Sequence, residues 1–285
     1  MTAALAQMYP KLGDIPANLS KHLETIDSAV DLGANLVMFP ELSLTGYYVM
    51  DMVPELAIRA SKDDPTYAKL LDASRYADLM FGFIREDQRN RFTIAAAYLS
   101  GGETVHIHDK VYLPTYGMFD DARYFVAGNH IRAFDTQFGR IGMLICEDFW
   151  HMSAGYLLWM DGADILLLHS ASPSRGVAAS ENGRLTSSRW VELMNQAYAS
   201  TYTAYVLHCN RVGYEDGKNF WGGSSIASPE GEFITHGLYF DEALIIQTVD
   251  LNQLHRTRSK VPLLRDERPE LVQRELARIL QKEAQ

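Results

Sequence analysis

Three short apolar runs, each closed by a polar residue, constrain the fold more than any other feature of this chain. Leu36-Val37-Met38-Phe39 stops at Pro40-Glu41, and Ile141-Gly142-Met143-Leu144-Ile145 stops at Cys146-Glu147-Asp148. The third runs from Ile165 to His169, just ahead of Ser170. Runs this short and this continuously apolar read as buried strands rather than as half-exposed ones.

Helical patterns alternate with the strands. Leu19, Leu23, Ile26 and Val30 recur at helical spacing from near Pro16, and Gly33 supplies a stop. Asp64-Pro65 reads as an N-cap and first turn of a helix reaching about residue 76, and residues 186–200 form a long helix. Further strands are expected at 2–7, 79–84, 92–99, 104–108, 131–135, 204–209, 224–228 and 243–250, with Ser100-Gly101-Gly102-Glu103 as a hairpin turn. No repeat or linker divides the 285 residues. One domain over 1–285 is expected, with 266–285 as a charged helical tail whose apolar side is Leu271, Leu276, Ile279 and Leu280. Hairpins mixed with strand–helix–strand units imply two packed sheets with helices outside.

Composition narrows the partners. A formal net charge of −10 and the lack of a Lys/Arg cluster argue against a nucleic-acid surface. No run approaches the ~20 apolar residues of a membrane span, and the first seven residues do not read as a signal peptide. With only Cys146 and Cys209 present, two reduced thiols and a cytoplasmic location are expected.

The chemistry-bearing residues sit where strands end. A thiol at the broken end of a core strand, as at Cys146, is placed for attack on a substrate; its alternative is simple packing. Glu41 directly follows a buried strand, where a carboxylate is costly unless used or partnered. Apolar surroundings would raise its pKa and suit it to moving protons near neutral pH; its alternative is a turn cap. Lys110 ends a strand ahead of an aromatic-rich loop over 112–129. A fixed cation there can face a developing oxyanion and favour a nearby thiolate; its alternative is a surface lysine. Glu147 and Asp148 oppose a thiolate, which calls for a compensating cation, and Lys110 is the candidate. The Glu147 N–H, beside the sulfur, is the candidate second oxyanion donor. Trp150 and His151 are candidate pocket residues, and Tyr116, Phe119 and Trp221 candidate pocket walls; each has a packing role as its alternative. His106 and His108 share a strand face, but no second Cys or His pair completes a metal site, so both are expected on the sheet surface. Cys209 is expected to be a packed thiol.

Taken together, these segments resemble the carbon–nitrogen hydrolase (nitrilase) superfamily, whose members use a Glu-Lys-Cys triad. The resemblance is carried by Gly13-Asp14 with Asn18, Pro40-Glu41-Leu42 with Thr45-Gly46-Tyr47, Lys110 with Leu113-Pro114, Cys146-Glu147-Asp148, and Ser170-Ala171-Ser172-Pro173. Within the superfamily three stretches are similar to the glutaminase domain of glutamine-dependent NAD synthetase. They are Leu113-Pro114-Thr115-Tyr116-Gly117-Met118-Phe119-Asp120 with Arg123-Tyr124-Phe125, Cys146 through Trp150, and Asn210-Arg211-Val212-Gly213. The similarity stops short of the synthetase's ATP-using domain.

The resemblance implies an α/β fold, a four-layer α-β-β-α sandwich, and hydrolysis of a small amide with ammonia release. It makes Glu41, Lys110 and Cys146 catalytic, with Lys110 and the Glu147 N–H as the oxyanion hole and a thioester on Cys146. Tyr116, Phe119, Trp150, His151 and Ser172 would surround the substrate, with no metal and no cofactor. The second glutamate of many members stands here as Asp121, one methylene shorter. It either contacts Lys110 or the substrate, or pairs with Arg123. A homodimer or higher homo-oligomer through helices near Cys146 is implied as well. Three other readings stand beside amide hydrolysis: a glutaminase-like subunit feeding ammonia to a separate synthetase, a nitrilase or carbamoyl-amide hydrolase, and a non-catalytic binding or regulatory protein on the same scaffold.

Overall fold

The fold is that of a computed structural model in which residues 1–175 and 185–283 are described. Among them the strands are, in chain order, β1 (Thr2–Gln7), β2 (Leu36–Met38), β3 (Asp78–Glu86), β4 (Phe92–Ser100), β5 (Glu103–Asp109), β6 (Ala133–Thr136) and β7 (Gly139–Ile145). They continue with β8 (Ile165–Ser170), β9 (Tyr205–Asn210), β10 (Val212–Glu215), β11 (Lys218–Trp221), β12 (Ser225–Ala227), β13 (Phe233–His236) and β14 (Ala243–Thr248). The helices are α1 (Ile15–Asp31), α2 (Val53–Leu56), α3 (Pro65–Ala73), α4 (Asp121–Tyr124), α5 (Met152–Met160), α6 (Thr186–Thr201), α7 (Asn252–Lys260), α8 (Leu263–Asp266) and α9 (Pro269–Glu283).

Two six-stranded sheets result, ordered β14-β1-β2-β3-β4-β5 and β13-β12-β9-β8-β7-β6. Each has three parallel strands, β1 to β3 and β7 to β9, extended by antiparallel neighbours. The side-chain clusters define the layers. Ala3 and Leu5 of β1 meet Met143, Ile145 and Leu167 of the other sheet in a central core. Ala4 and Ala6, on the opposite face of β1, pack with Leu19 and Ile26 of α1 and Leu70 of α3. Leu144, Leu166 and Leu168 pack outward against Leu158 of α5 and Val191 and Tyr198 of α6. The order is therefore helices, sheet, sheet, helices. Both faces of the parallel strands are covered, which is why their sequences are apolar at successive positions.

Local chemistry starts the helices where expected. Asp14 caps α1 by accepting from the Ala17 N–H at 3.0 Å, and Asp64 caps α3 by accepting from Thr66 and Tyr67. Elsewhere the structure departs from the sequence reading. The charged tail helix begins at Pro269 rather than 266, because residues 263–266 form the separate short turn α8. Trp221, a candidate pocket wall, is wholly buried in the core beneath α5 and α6. His108, expected on the sheet surface, is buried at the seam between the sheets, while His106 is half-buried and stacks on Phe134 with ring centres 4.5 Å apart. Cys209 is buried, its thiol against the carbonyl oxygens of Met38 and Ala6 at 3.4 and 3.6 Å. Among the described residues no helix is long and apolar enough to cross a membrane.

Candidate active site

Glu41, Lys110 and Cys146 each lie just beyond a strand end, after β2, β5 and β7. The first two belong to one sheet and the third to the other, so the face-to-face packing brings them together at the seam. Glu41 and Lys110 are fully buried and Cys146 nearly so. The Lys110 ammonium donates to Glu41 Oε1 at 2.8 Å and to Asp121 Oδ2 at 2.7 Å. Neither the turn-cap reading of Glu41 nor the surface reading of Lys110 fits this geometry. Asp121 bonds Lys110 and not Arg123, whose carboxylate neighbour is Asp120 at 3.9 Å. The shorter side chain still reaches because the helical turn α4 carries Asp121 inward.

The second oxygen of each acid has a donor as well. Glu41 Oε2 accepts from the Ala171 N–H at 2.8 Å, just past the end of β8. Tyr47 donates its phenol proton to Asp121 Oδ1. Tyr47 is itself held by its backbone N–H, which donates to Glu215 Oε1 at 2.7 Å, and Glu215 forms a buried pair with Arg211 at 2.6 Å. This chain of contacts runs from the β10–β11 hairpin to the ammonium.

Two backbone features set the carboxylate and the thiol. Leu42, immediately after Glu41, has φ +49°, and Cys146 has φ +46°. Left-handed backbone of this kind costs a β-carbon residue about 1–2 kcal/mol. The turn at residues 40–42 also lies directly on Gly82 of β3. A Cβ there would stand 2.4 Å from the Leu42 nitrogen and 2.9 Å from the Glu41 Cα, so no larger residue fits.

Asp148 joins the two sheets. Its Oδ1 accepts from the N–H groups of Val111 and Tyr112, both at 2.9 Å. Its Oδ2 bonds His108 Nε2 at 2.8 Å and the Ile145 N–H at 3.1 Å. One buried carboxylate thus ties the backbone after Lys110 to the backbone before Cys146. The sequence reading gave Asp148 a purely repulsive role toward a thiolate. No local signal marks its partners across the seam, His108, Val111 and Tyr112, which lie some forty positions away.

The electrostatics follow from burial. Burial pushes the Glu41 pKa up from its ordinary 4.5; Lys110 draws it back and Asp121 adds to the rise. Burial alone would lower Lys110, but Asp121 and Glu41 reverse this and hold it well above 10.5. Burial, then the Glu41 charge, push the Cys146 thiol well above 9.0, and Lys110 only partly opposes them. Lys110 thus acts on the thiol in the direction its position in sequence suggests, against the larger effect of burial.

The site opens on a cavity of about 400 Å³ lined by Cys146, Tyr116, Phe119, Glu147, Trp150, Ser172 and others. Tyr116 donates its phenol proton to both Glu147 oxygens, at 2.8 and 3.0 Å. Burial and Glu147 push the Tyr116 pKa up to about 12. His151 is not on the cavity wall: it stacks on Tyr112 with ring centres 3.6 Å apart.

Comparison with known proteins agrees with this architecture. The sequence profile of the carbon–nitrogen hydrolase family matches residues 2–259. A glutamine-dependent NAD(+) synthetase from Thermotoga maritima is 32% identical over 259 residues, covering 89% of this chain and 42% of that protein. The chain spans less than half the length of the synthetases it matches. N-carbamoylputrescine amidase from Arabidopsis thaliana is 26% identical over 272 residues, covering 90% of this chain and 89% of that protein. In fold, a carbon–nitrogen hydrolase from Helicobacter pylori G27 superposes with a TM-score of 0.85 at 20% identity, covering 95% of this chain and 96% of that one. With a family match over nearly the whole chain and a four-layer fold to carry it, the protein belongs to the carbon–nitrogen hydrolase family and is an enzyme of the nitrilase superfamily.

Proposed function

We propose that the enzyme hydrolyses a small primary amide to ammonia and a carboxylic acid through a thioester on Cys146. The observation that carries this reading is the meeting of Glu41, Lys110 and Cys146 at a buried seam opening on one cavity. Glu41 takes the thiol proton as sulfur bonds to the amide carbon. Lys110 has three N–H groups, two of them engaged by Glu41 and Asp121, which leaves one for the developing oxyanion beside the Glu147 N–H. As the C–N bond breaks, Glu41 returns the proton to the leaving nitrogen and ammonia departs. Glu41 then activates a water that attacks the thioester, and the acid and the thiol are regenerated. Ser172, Trp150, Tyr116 and Phe119 shape the space for the acyl group.

Intact-mass detection of an acyl adduct on Cys146 across a panel of amides, nitriles and carbamoyl compounds tests both nucleophile and substrate class. The pH profile adds a second readout. Glu41 must be ionised to act, and its pKa is raised, so kcat/KM is expected to fall on the acid side with a midpoint above 4.5. It is not expected to rise through the neutral range with a thiol ionisation, because the thiol stays protonated well above 9.0. An adduct on no panel member would sink the reading. Adduct and turnover with glutamine alone would favour the second reading, ammonia supply to a separate synthetase, which rests on the similarity to NAD(+) synthetase.

For the assembly we propose a homo-oligomer meeting through the apolar side chains exposed beside the site: Trp150, Met152 and Leu157 on and before α5, with Trp190 and Leu193 on α6. A sedimentation mass of one chain at every working concentration would remove this proposal.

A further inference from the structure

Among the described residues lining the cavity, Arg175 is the one cation and Glu147 the one acid. Arg175 is fixed at its backbone. Its N–H donates to Ser187 Oγ at 3.1 Å and its carbonyl accepts from the Ser187 N–H at 3.3 Å. Its guanidinium lies over the Phe119 ring, 4.8 Å from the ring centre. Its Nη2 is enclosed beside Gly117, where an added Cβ would come within 2.6 Å. Among the described residues no acceptor meets that Nη2. The Glu147 oxygens accept from the Tyr116 hydroxyl.

Among the described residues no carboxylate meets this guanidinium, and its enclosed Nη2 is a buried donor that an anion would satisfy. Its planar fork fits a carboxylate in two parallel hydrogen bonds, a match that ammonium groups lack. The rest of the lining is mainly apolar or aromatic: Phe119, Trp150, Pro173, Trp190 and Val191. A pocket with one fixed cation among apolar walls orients a small ligand by a single charged end.

We propose that Arg175 receives a carboxylate carried by the substrate, so that the enzyme's substrates are acid amides with the reacting amide at Cys146 and a carboxylate at the other end. This rests on the amidase reading of Cys146 and names the substrate class for it. The nearby Glu147 carboxylate disfavours an anion placed on its own side of the cavity, so the carboxylate sits toward Arg175.

The test compares three five-carbon amides of equal length, one ending in a carboxylate (glutaric acid monoamide), one in a methyl (pentanamide) and one in an ammonium (5-aminopentanamide). Ammonia release and Cys146 adduct mass are measured for the wild type, Arg175→Lys and Arg175→Met. The wild type is expected to favour the carboxylate amide over the neutral one by about 10- to 100-fold in kcat/KM, the scale of charge-assisted hydrogen bonds. In Arg175→Met that ratio falls to about one, and Arg175→Lys recovers part of it because a point charge replaces the fork. Preference for the neutral or cationic amide, or a ratio that survives in Arg175→Met, overturns the assignment alone. No turnover and no adduct with any of the three overturns the amidase reading and the assignment with it.

Discussion

A Lys110→Met variant is expected to lose about 10²–10³-fold in kcat and about 3–5 kcal/mol of stability. The activity term is the loss of a donor aimed at the oxyanion. The stability term comes from the two carboxylates left behind. Glu41 and Asp121 are buried and share the Lys110 ammonium at 2.8 and 2.7 Å, and methionine keeps the length of lysine without the charge. Removing one partner of a buried ion pair leaves an uncompensated charge, which costs far more than the intact pair is worth. The Ala171 N–H and the Tyr47 hydroxyl remain as donors, one to each acid, and do not replace a cation.

The loss carries a pH signature. The folded pKa of Glu41 already lies above its ordinary value, and removing Lys110 raises it further, because Lys110 is what draws it down. A raised folded pKa gives stability that is complete below the unfolded value and disappears as pH rises through the folded one. The deficit of the variant should therefore be larger at about pH 8 than at about pH 5. Denaturant midpoints at the two pH values check this, and an equal deficit at both would contradict a buried ammonium shared by two acids.

Cys146→Ala is expected to separate what Lys110→Met combines. Turnover should fall on the order of 10⁴-fold or more, the scale of losing a covalent nucleophile. Stability should change by no more than about 1 kcal/mol, because only a sulfur is removed and alanine keeps the β-carbon. The left-handed backbone at φ +46° is therefore strained in both proteins. Single-turnover ammonia release, adduct mass and thermal midpoint together decide the matter. Retention of turnover within tenfold of the parent would remove Cys146 from the mechanism. A large stability loss would mean that the thiol packs more than it reacts.

The parts of the fold visible in sequence are those whose cause is local. The runs at 36–39, 141–145 and 165–169 are apolar because both faces of those strands are covered, and they register as strands without any partner being known. The cap at Asp64 acts on its own next turn. What escaped was decided at a distance. Helix α5 is apolar nearly all round, so it carries little helical periodicity and was not foreseen. The β10–β11 hairpin is the exception, since Asp216-Gly217 marks its turn locally. Within the site, Glu41, Lys110 and Cys146 could be picked out because each ends a strand. Asp148 could not, because its worth lies in the N–H groups of Val111 and Tyr112 and the ring of His108, which only the sheet packing brings to it. Arg175 carried no signal either, since its place over Phe119 depends on two loops meeting.

The pairing of β1 with β14 has a bearing on how the enzyme comes into being during synthesis. Thr2 lies opposite Thr248 and Gln7 opposite Ala243, so β1 waits for β14, the last strand among the described residues, before its free edge is covered. Contacts that distant in sequence form slowly, because most of the chain must be closed into a loop first. The sheet that carries the carboxylate and the ammonium therefore stays open-edged on the ribosome while the cysteine's own sheet is being laid down. The two buried acids and their cation are therefore expected to be sealed from water late, once β14 has been made and has paired with β1.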